Sequence, residues 1–181
     1  LAETASVFGE QLTFESLLES CNDKKQSNNL IAGKIEDMLN TIVRQIAFYE
    51  FELAVHNQRK EKELTVSEIN NIWLDKQKES LGPAIKFHDE YKYFWSYIPH
   101  FIHSPFYVYA YAFGNCLVNS LYSCYVKQPE GFSDKYKTML SAGGTLHHSD
   151  LLKPFGLSAK DKQFWQGGLT LLNQYVDRLI V

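Results

Sequence analysis

Residues 30–61 read LIAGKIEDMLNTIVRQIAFYEFELAVHNQRKE. Ile31, Ile35, Met38, Ile42, Ile46, Tyr49, Leu53 and His56 recur at steps of three and four. That spacing stacks side chains along one face of an α-helix. Asp37, Arg44, Glu50 and Arg59 fall off the stripe and can decorate the other faces. The stretch predicts one long amphipathic helix, and the same period continues outward on both sides of it.

Toward the N-terminus, Asn22 to Asn29 is polar and reads as a loop, and Ala2 to Ser20 carries Val7, Leu12, Phe14, Leu17 and Leu18 in a helical pattern interrupted near Gly9. Toward the C-terminus, Thr65-Val66-Ser67-Glu68 forms a capping box. The Thr hydroxyl accepts from an orphan backbone N–H while the Glu reaches back to the cap. The helix it opens runs to Leu81 and stops at Gly82-Pro83. Residues 84–104 are irregular and aromatic. Pro105 suits the first turn of a helix from Phe106 to Val126. Pro129-Glu130-Gly131 is a turn, Ser133 caps a short helix to Ser141, and Gly143-Gly144 ends it. Ser149 caps one or two turns over Leu151 to Phe155. Ser158-Ala159-Lys160-Asp161 resembles a second capping box, with Asp in place of Glu, and starts a last helix to Leu179. No strand, internal repeat or low-complexity tract is apparent. The expected fold is an all-α multi-helix bundle with short connections, residues 1–181 forming a single helical domain.

Composition narrows the function. The chain has 181 residues, 45% of them apolar and 22% charged, which is globular usage and excludes disorder. Eighteen Lys and Arg against 21 Asp and Glu leave a net charge of -3, so no basic excess points to nucleic acid or an acidic membrane. Cys21, Cys116 and Cys124 are too few and scattered for a disulfide framework, which suits a reducing, cytoplasmic compartment. Cys116 and Cys124 are roughly 12 Å apart along one predicted helix, too far to bond. Phe94 to Val126 holds no Asp, Glu, Lys or Arg. Pro99, Pro105, His100, His103, Asn115, Asn119, Ser120 and Ser123 make it a poor membrane span and a good central helix lining a cavity. The chain opens Leu1-Ala2-Glu3, without Met or a leader-like segment. We expect it to be one piece of a longer polypeptide.

Few residues invite chemistry. His56 reads as a core or boundary residue, His88 as solvated, and the side chains of adjacent His147 and His148 diverge. The cysteines read as small core residues. Two clusters remain. Glu3-Thr4-Ala5-Ser6 places a carboxylate among small residues at a helix start, either as an exposed acid favourable to the helix dipole or beside a bound ion. Eleven of the 26 aromatics fall between Tyr91 and Phe113. Tyr107 and Tyr111 share a helix face and Tyr109 points elsewhere. Their phenols, with the His100 ring, either donate to a developing oxyanion or form an aromatic core.

Taken together, the clusters resemble a known family. Glu3-Thr4-Ala5-Ser6 with Phe8-Gly9-Glu10, Ile98-Pro99-His100-Phe101, and Pro105-Phe106-Tyr107-Val108-Tyr109 with Tyr111-Ala112 are similar to segments of the thimet-oligopeptidase-like zinc metallopeptidases of the oligoendopeptidase F group. Ser141-Ala142-Gly143-Gly144-Thr145, then Leu151-Leu152-Lys153 and Gly156, resemble the Gly-Gly loop and helix near that group's C-terminus. The order is right over nearly the whole chain, but the family's H-E-x-x-H motif is absent. The resemblance implies the C-terminal portion of a zincin-type helical peptidase domain. It makes Glu3 the third zinc ligand, Ser6 a neighbour of that ligand, and His100, Tyr107 and Tyr111 the groups that bind or polarise the scissile carbonyl, with Tyr109 also at the substrate. In that family three protein ligands and a water complete the metal, which activates the water, and the Glu of the missing motif moves its proton. The implied substrates are short peptides. The implied partner is the missing N-terminal part of the same polypeptide, with no nucleic acid and no membrane. Alone, the chain is expected to be inactive, to retain no zinc, and to self-associate through apolar surface between Phe94 and Val126. The rival expectation is a helical binding or scaffold module using residues 91–113 as a ligand groove or partner interface.

Overall fold

A computed structural model describes residues 4–180; Glu3 lies outside the described residues. Those residues form α1 (Thr4–Ser20), α2 (Lys24–Met38), a π-helical segment (Leu39–Val43), α3 (Arg44–Arg59) and α4 (Val66–Leu81). A 3₁₀ stretch (Asp89–Tyr97), α5 (His100–His103), α6 (Tyr109–Lys127), α7 (Phe132–Ala142), α8 (His148–Leu152), a short 3₁₀ turn (Lys153–Phe155) and α9 (Lys162–Ile180) follow. The fold is an all-α multi-helix bundle. The chain divides into two compact units, residues 39–112 and the remainder.

In the unit made of residues 1–38 and 113–181, Phe8, Leu117, Val118, Leu121, Phe132, Met139, Leu152 and Phe164 form a buried core. The buried polar residues of α6 are hydrogen-bonded. Buried Asn119 donates from Nδ2 to the Gly168 carbonyl at 3.1 Å, and the Ser120 hydroxyl donates to the Phe164 carbonyl at 2.9 Å. Asn119, Tyr122 and Ser123 also border a cavity of about 290 Å³ with Gly167, Thr170 and Gln174 of α9, so the central helix does line a cavity. Burial pushes the Cys116 thiol up to about 11, leaving an inert core residue.

At Gly168, α9 comes close to α6. A Cβ there would meet Cys116 Cα and Cβ at 3.0 Å, whereas at Gly167 it would meet only the Ser120 hydroxyl at 3.6 Å. Gly168→Ala is therefore expected to destabilise this unit by about 1–3 kcal/mol through overpacking. Gly167→Ala is neutral or stabilising, because Ala is the better helix former. Urea denaturation of the two variants checks the contrast; equal stabilities would contradict the close approach.

In the unit of residues 39–112, Phe48, Phe51, Trp73, Ile98 and Val108 form the buried core. The Trp73 indole donates to the Tyr91 carbonyl at 2.9 Å and the Trp95 indole to Asn70 Oδ1 at 2.7 Å. The predicted capping box is present: Glu68 N donates to Thr65 Oγ1 at 3.3 Å and Thr65 N to Glu68 Oε2 at 2.9 Å. Lys62 pairs with Glu68 as well. The helix ends at Gly82, whose φ of 69° suits glycine.

Several boundaries differ from the sequence expectation. The polar segment before residue 30 is helical from Lys24, because the Asp23 carboxylate accepts from Lys25 N at 3.1 Å and caps it. Gly9 does not interrupt α1. His147, not Ser149, caps α8 by accepting from Ser149 N at 3.4 Å. The long helix of residues 30–61 contains the π segment, whose Val43 carbonyl accepts from the Ser80 hydroxyl at 3.3 Å. A π turn carries one extra residue and so rotates everything after it. Beyond Ile42 the buried positions are accordingly Ala47, Phe48, Phe51 and Glu52, while Ile46 is 42% exposed.

Candidate functional site

The candidate site is built on the aromatic half of the 39–112 unit. The predicted helix from Phe106 begins at Tyr109 instead. Its delay comes from Phe106, which has φ 61° and is the only non-glycine residue with positive φ among those described. A side chain there costs about 1–2 kcal/mol. The turn is held by Glu52, whose Oε1 accepts from Phe106 N at 3.0 Å. The Phe106 ring lies edge-on to Tyr49, with centroids 6.2 Å apart, and 4.8 Å from His56. Tyr49, Glu52 and His56 are successive positions on one face of α3.

The turn closes α5 onto the start of α6. Tyr107 N donates to the Ser104 carbonyl at 3.1 Å and Ala110 N to the Tyr107 carbonyl at 2.9 Å. His100 Nε2 and the Tyr111 hydroxyl lie 3.0 Å apart. Tyr107 lies parallel to the His100 ring at 6.3 Å and edge-on to Tyr111 at 5.6 Å. The structure thus brings His100, Tyr107 and Tyr111 into one cluster. Tyr107 is 48% exposed, and its hydroxyl makes no hydrogen bond among the described residues, so it is free to donate outward.

Tyr109 is half exposed and packs its ring on Tyr49 at 5.8 Å rather than on this cluster. Ser6 is an exposed residue of α1 in the other unit. His56 is exposed rather than core, and serves Phe106.

Glu52 was not legible as a functional residue. It is 2% exposed, and its Oε2 has no hydrogen-bond partner among the described residues. Burial pushes its carboxyl above the usual carboxylate range, offset in part by the Phe106 N–H and by His56 and His100. It sits in the wall of a cavity of about 410 Å³ with Phe51, Val55, Trp95 and Phe101. Among the described residues no three His, Cys, Asp or Glu side chains cluster closely enough to hold a metal ion. The described residues do not by themselves fit zinc, and what the cluster offers is an imidazole and two phenols, groups that donate and accept hydrogen bonds.

The all-helical fold is that of a solved peptidase. It matches the crystal structure of oligoendopeptidase-F from Enterococcus faecium with a TM-score of 0.88 at 24% identity, over 99% of this chain and 35% of that one; identity this low shows the fold alone. The family follows from the sequence. The model of peptidase family M3 matches residues 1–171, and the chain belongs to that family. It is 31% identical over 180 residues to oligopeptidase PepF of Bacillus subtilis, covering 99% of this chain and 27% of that protein. It is 32% identical over 162 residues to an oligoendopeptidase F homolog of Borreliella burgdorferi, covering 89% of this chain and 27% of that protein. The chain therefore spans little more than a quarter of the length of these relatives. No helix among the described residues is long and apolar enough to cross a membrane.

Proposed function

We propose that this chain is the C-terminal part of the catalytic domain of a cytoplasmic, zinc-dependent oligopeptidase that hydrolyses short peptides, the zincin-type bundle being one domain with the part it lacks. Membership of family M3 and coverage of 27% of the relatives support this reading. The observation that carries it to a mechanism is the 3.0 Å contact between His100 Nε2 and Tyr111, with Tyr107 against both rings. Tyr107 donates its free hydroxyl to the scissile carbonyl and, as the tetrahedral intermediate forms, to its oxyanion, where a fixed donor gains most. His100 binds the same carbonyl, and Tyr111 fixes the tilt and tautomer of the His100 ring. Tyr109, half exposed and two residues from both Tyr107 and Tyr111, lines the peptide path. Glu3 is the metal ligand this segment contributes and Ser6 its neighbour, the rest of the set coming from the part of the polypeptide that this chain lacks.

The test has two arms. The longer polypeptide is expected to cleave a quenched fluorescent heptapeptide and to lose that activity on chelation and regain it with zinc. The 181-residue chain is expected to show neither cleavage nor stoichiometric zinc by metal analysis, since a single carboxylate does not hold the ion. A longer polypeptide indifferent to chelators, or a short chain that cleaves in a chelator-sensitive way, would overturn the reading.

A further inference from the structure

Phe106 stands out because nothing in its own chemistry favours the left-handed backbone. Gly, Asn or Asp would be the ordinary occupant, and strained residues persist where their surroundings over-determine them. Here the surroundings are one face of α3. The Glu52 carboxylate takes the Phe106 N–H at 3.0 Å, and Tyr49 and His56 hold the ring from either side. The group doing this is an expensive choice for packing, since Glu52 is 2% exposed and one of its oxygens is unpartnered. An apolar side chain of similar length would fill the space without that desolvation cost. What the acid adds is a strong acceptor aimed at one backbone N–H, the one immediately before Tyr107.

Resting on the proposed function, we propose that Glu52 is a positioning residue for the reaction: by clamping Phe106 in its left-handed turn it aims the Tyr107 hydroxyl and keeps Tyr107 against His100 and Tyr111. The turn is the only covalent link between α5, which carries His100, and α6, which carries Tyr111. A change at Phe106 therefore displaces the phenol relative to the imidazole. Glu52 touches no substrate in this scheme and acts through Phe106.

The experiment uses the full-length enzyme with Glu52→Gln, Glu52→Asp and Glu52→Leu. Gln keeps an oxygen acceptor at the same reach and is expected to hold kcat within about threefold, whereas Asp, one methylene short, and Leu are expected to lower kcat about 10- to 100-fold with KM little changed, the scale of a misplaced catalytic group. Adding Phe106→Asn to Glu52→Leu is expected to restore part of the lost kcat, because Asn enters the left-handed region readily. Hydrogen exchange of the Phe106 and Tyr107 amides gives a readout independent of turnover: protection in the parent and Gln enzymes, loss in Asp and Leu. Glu52→Asp keeps the charge and nearly the volume, so it remains informative if Glu52→Leu does not fold. Parent-like kcat and exchange in Glu52→Asp would overturn the inference, as would a kcat loss in Glu52→Gln equal to that in Leu. If Tyr107→Phe is inactive while every Glu52 variant turns over normally, only this inference fails. If the parent enzyme has no chelator-sensitive peptidase activity, the proposed function fails first, and the exchange data still decide whether Glu52 holds the turn.

Discussion

Under the proposed function, Tyr107→Phe in the longer polypeptide is expected to lower kcat for a short peptide by about 10²–10³-fold, the cost of deleting one oxyanion donor, and to leave KM nearly unchanged. The substitution is a clean one. The Tyr107 ring is held parallel to His100 and edge-on to Tyr111, contacts that Phe preserves, and the hydroxyl removed makes no hydrogen bond among the described residues. Fold and ring position should survive, and only the outward-facing donor is lost. Since a donor matters most where charge develops, the penalty belongs to kcat rather than to substrate affinity. Tyr111→Phe is the natural comparison. It removes the 3.0 Å partner of His100, so it should loosen the imidazole and cost less than the Tyr107 change. Steady-state kinetics on a quenched peptide, with circular dichroism to verify folding, decides the matter. A Tyr107→Phe enzyme with unchanged kcat would remove Tyr107 from the chemistry and leave the cluster as packing.

What the sequence discloses here follows the range of the interactions. Thr65 and Glu68 are three residues apart, so their reciprocal cap is readable from four letters and is present as read. Tyr107 and Tyr111 are four residues apart, and their proximity is readable too, although Tyr107 lies ahead of α6 rather than on its face. Glu52 and Phe106 are 54 residues apart, and no local pattern announces the pair. Phe106 looked like the first residue of a helix because Pro105 suits that place, and only the remote carboxylate shows why the helix waits until Tyr109. The buried face of α3 departs from the sequence spacing for a different reason. Ile46 and Tyr49 continue the spacing of the preceding apolar residues, but the π turn over Leu39–Val43 advances the register and brings Glu52 inward. A periodicity argument assumes a constant angle per residue, and the extra residue breaks that assumption. The one signal that could have found Glu52 was the acid's place one turn after Phe48 and beside Phe51, in an otherwise aromatic neighbourhood. Glu3 draws attention as a carboxylate among small residues, is a metal ligand by resemblance alone, and lies outside the described residues.

The cluster stands on Trp73, and Trp73→Ala is expected to destabilise the 39–112 unit by about 3–5 kcal/mol. The side chain is 0% exposed. Its ring meets Phe48 at 5.3 Å, Phe51 at 5.2 Å, Tyr91 at 5.8 Å and Phe101 at 6.4 Å. Truncation leaves a cavity that four rigid rings cannot close together, and it removes the indole N–H that donates to the Tyr91 carbonyl at 2.9 Å. Trp73→Phe separates the two losses: it refills most of the space but still removes the indole hydrogen bond, for an expected cost of about 1–3 kcal/mol. Urea denaturation in a Trp165→Phe background, followed by tryptophan fluorescence, reports on this unit, because Trp95 remains in every variant, packs on Phe51 at 6.4 Å and donates to Asn70. The consequence reaches the site through two neighbours. Phe101 follows His100 in α5, and Phe51 precedes Glu52 in α3, so both the imidazole and the clamp on Phe106 take their positions from rings that lean on Trp73. Activity of the Trp73→Phe enzyme should therefore fall more than its modest stability loss explains at a temperature where it stays folded. A Trp73→Ala protein within 1 kcal/mol of the parent would mean that the core described here does not support the candidate site.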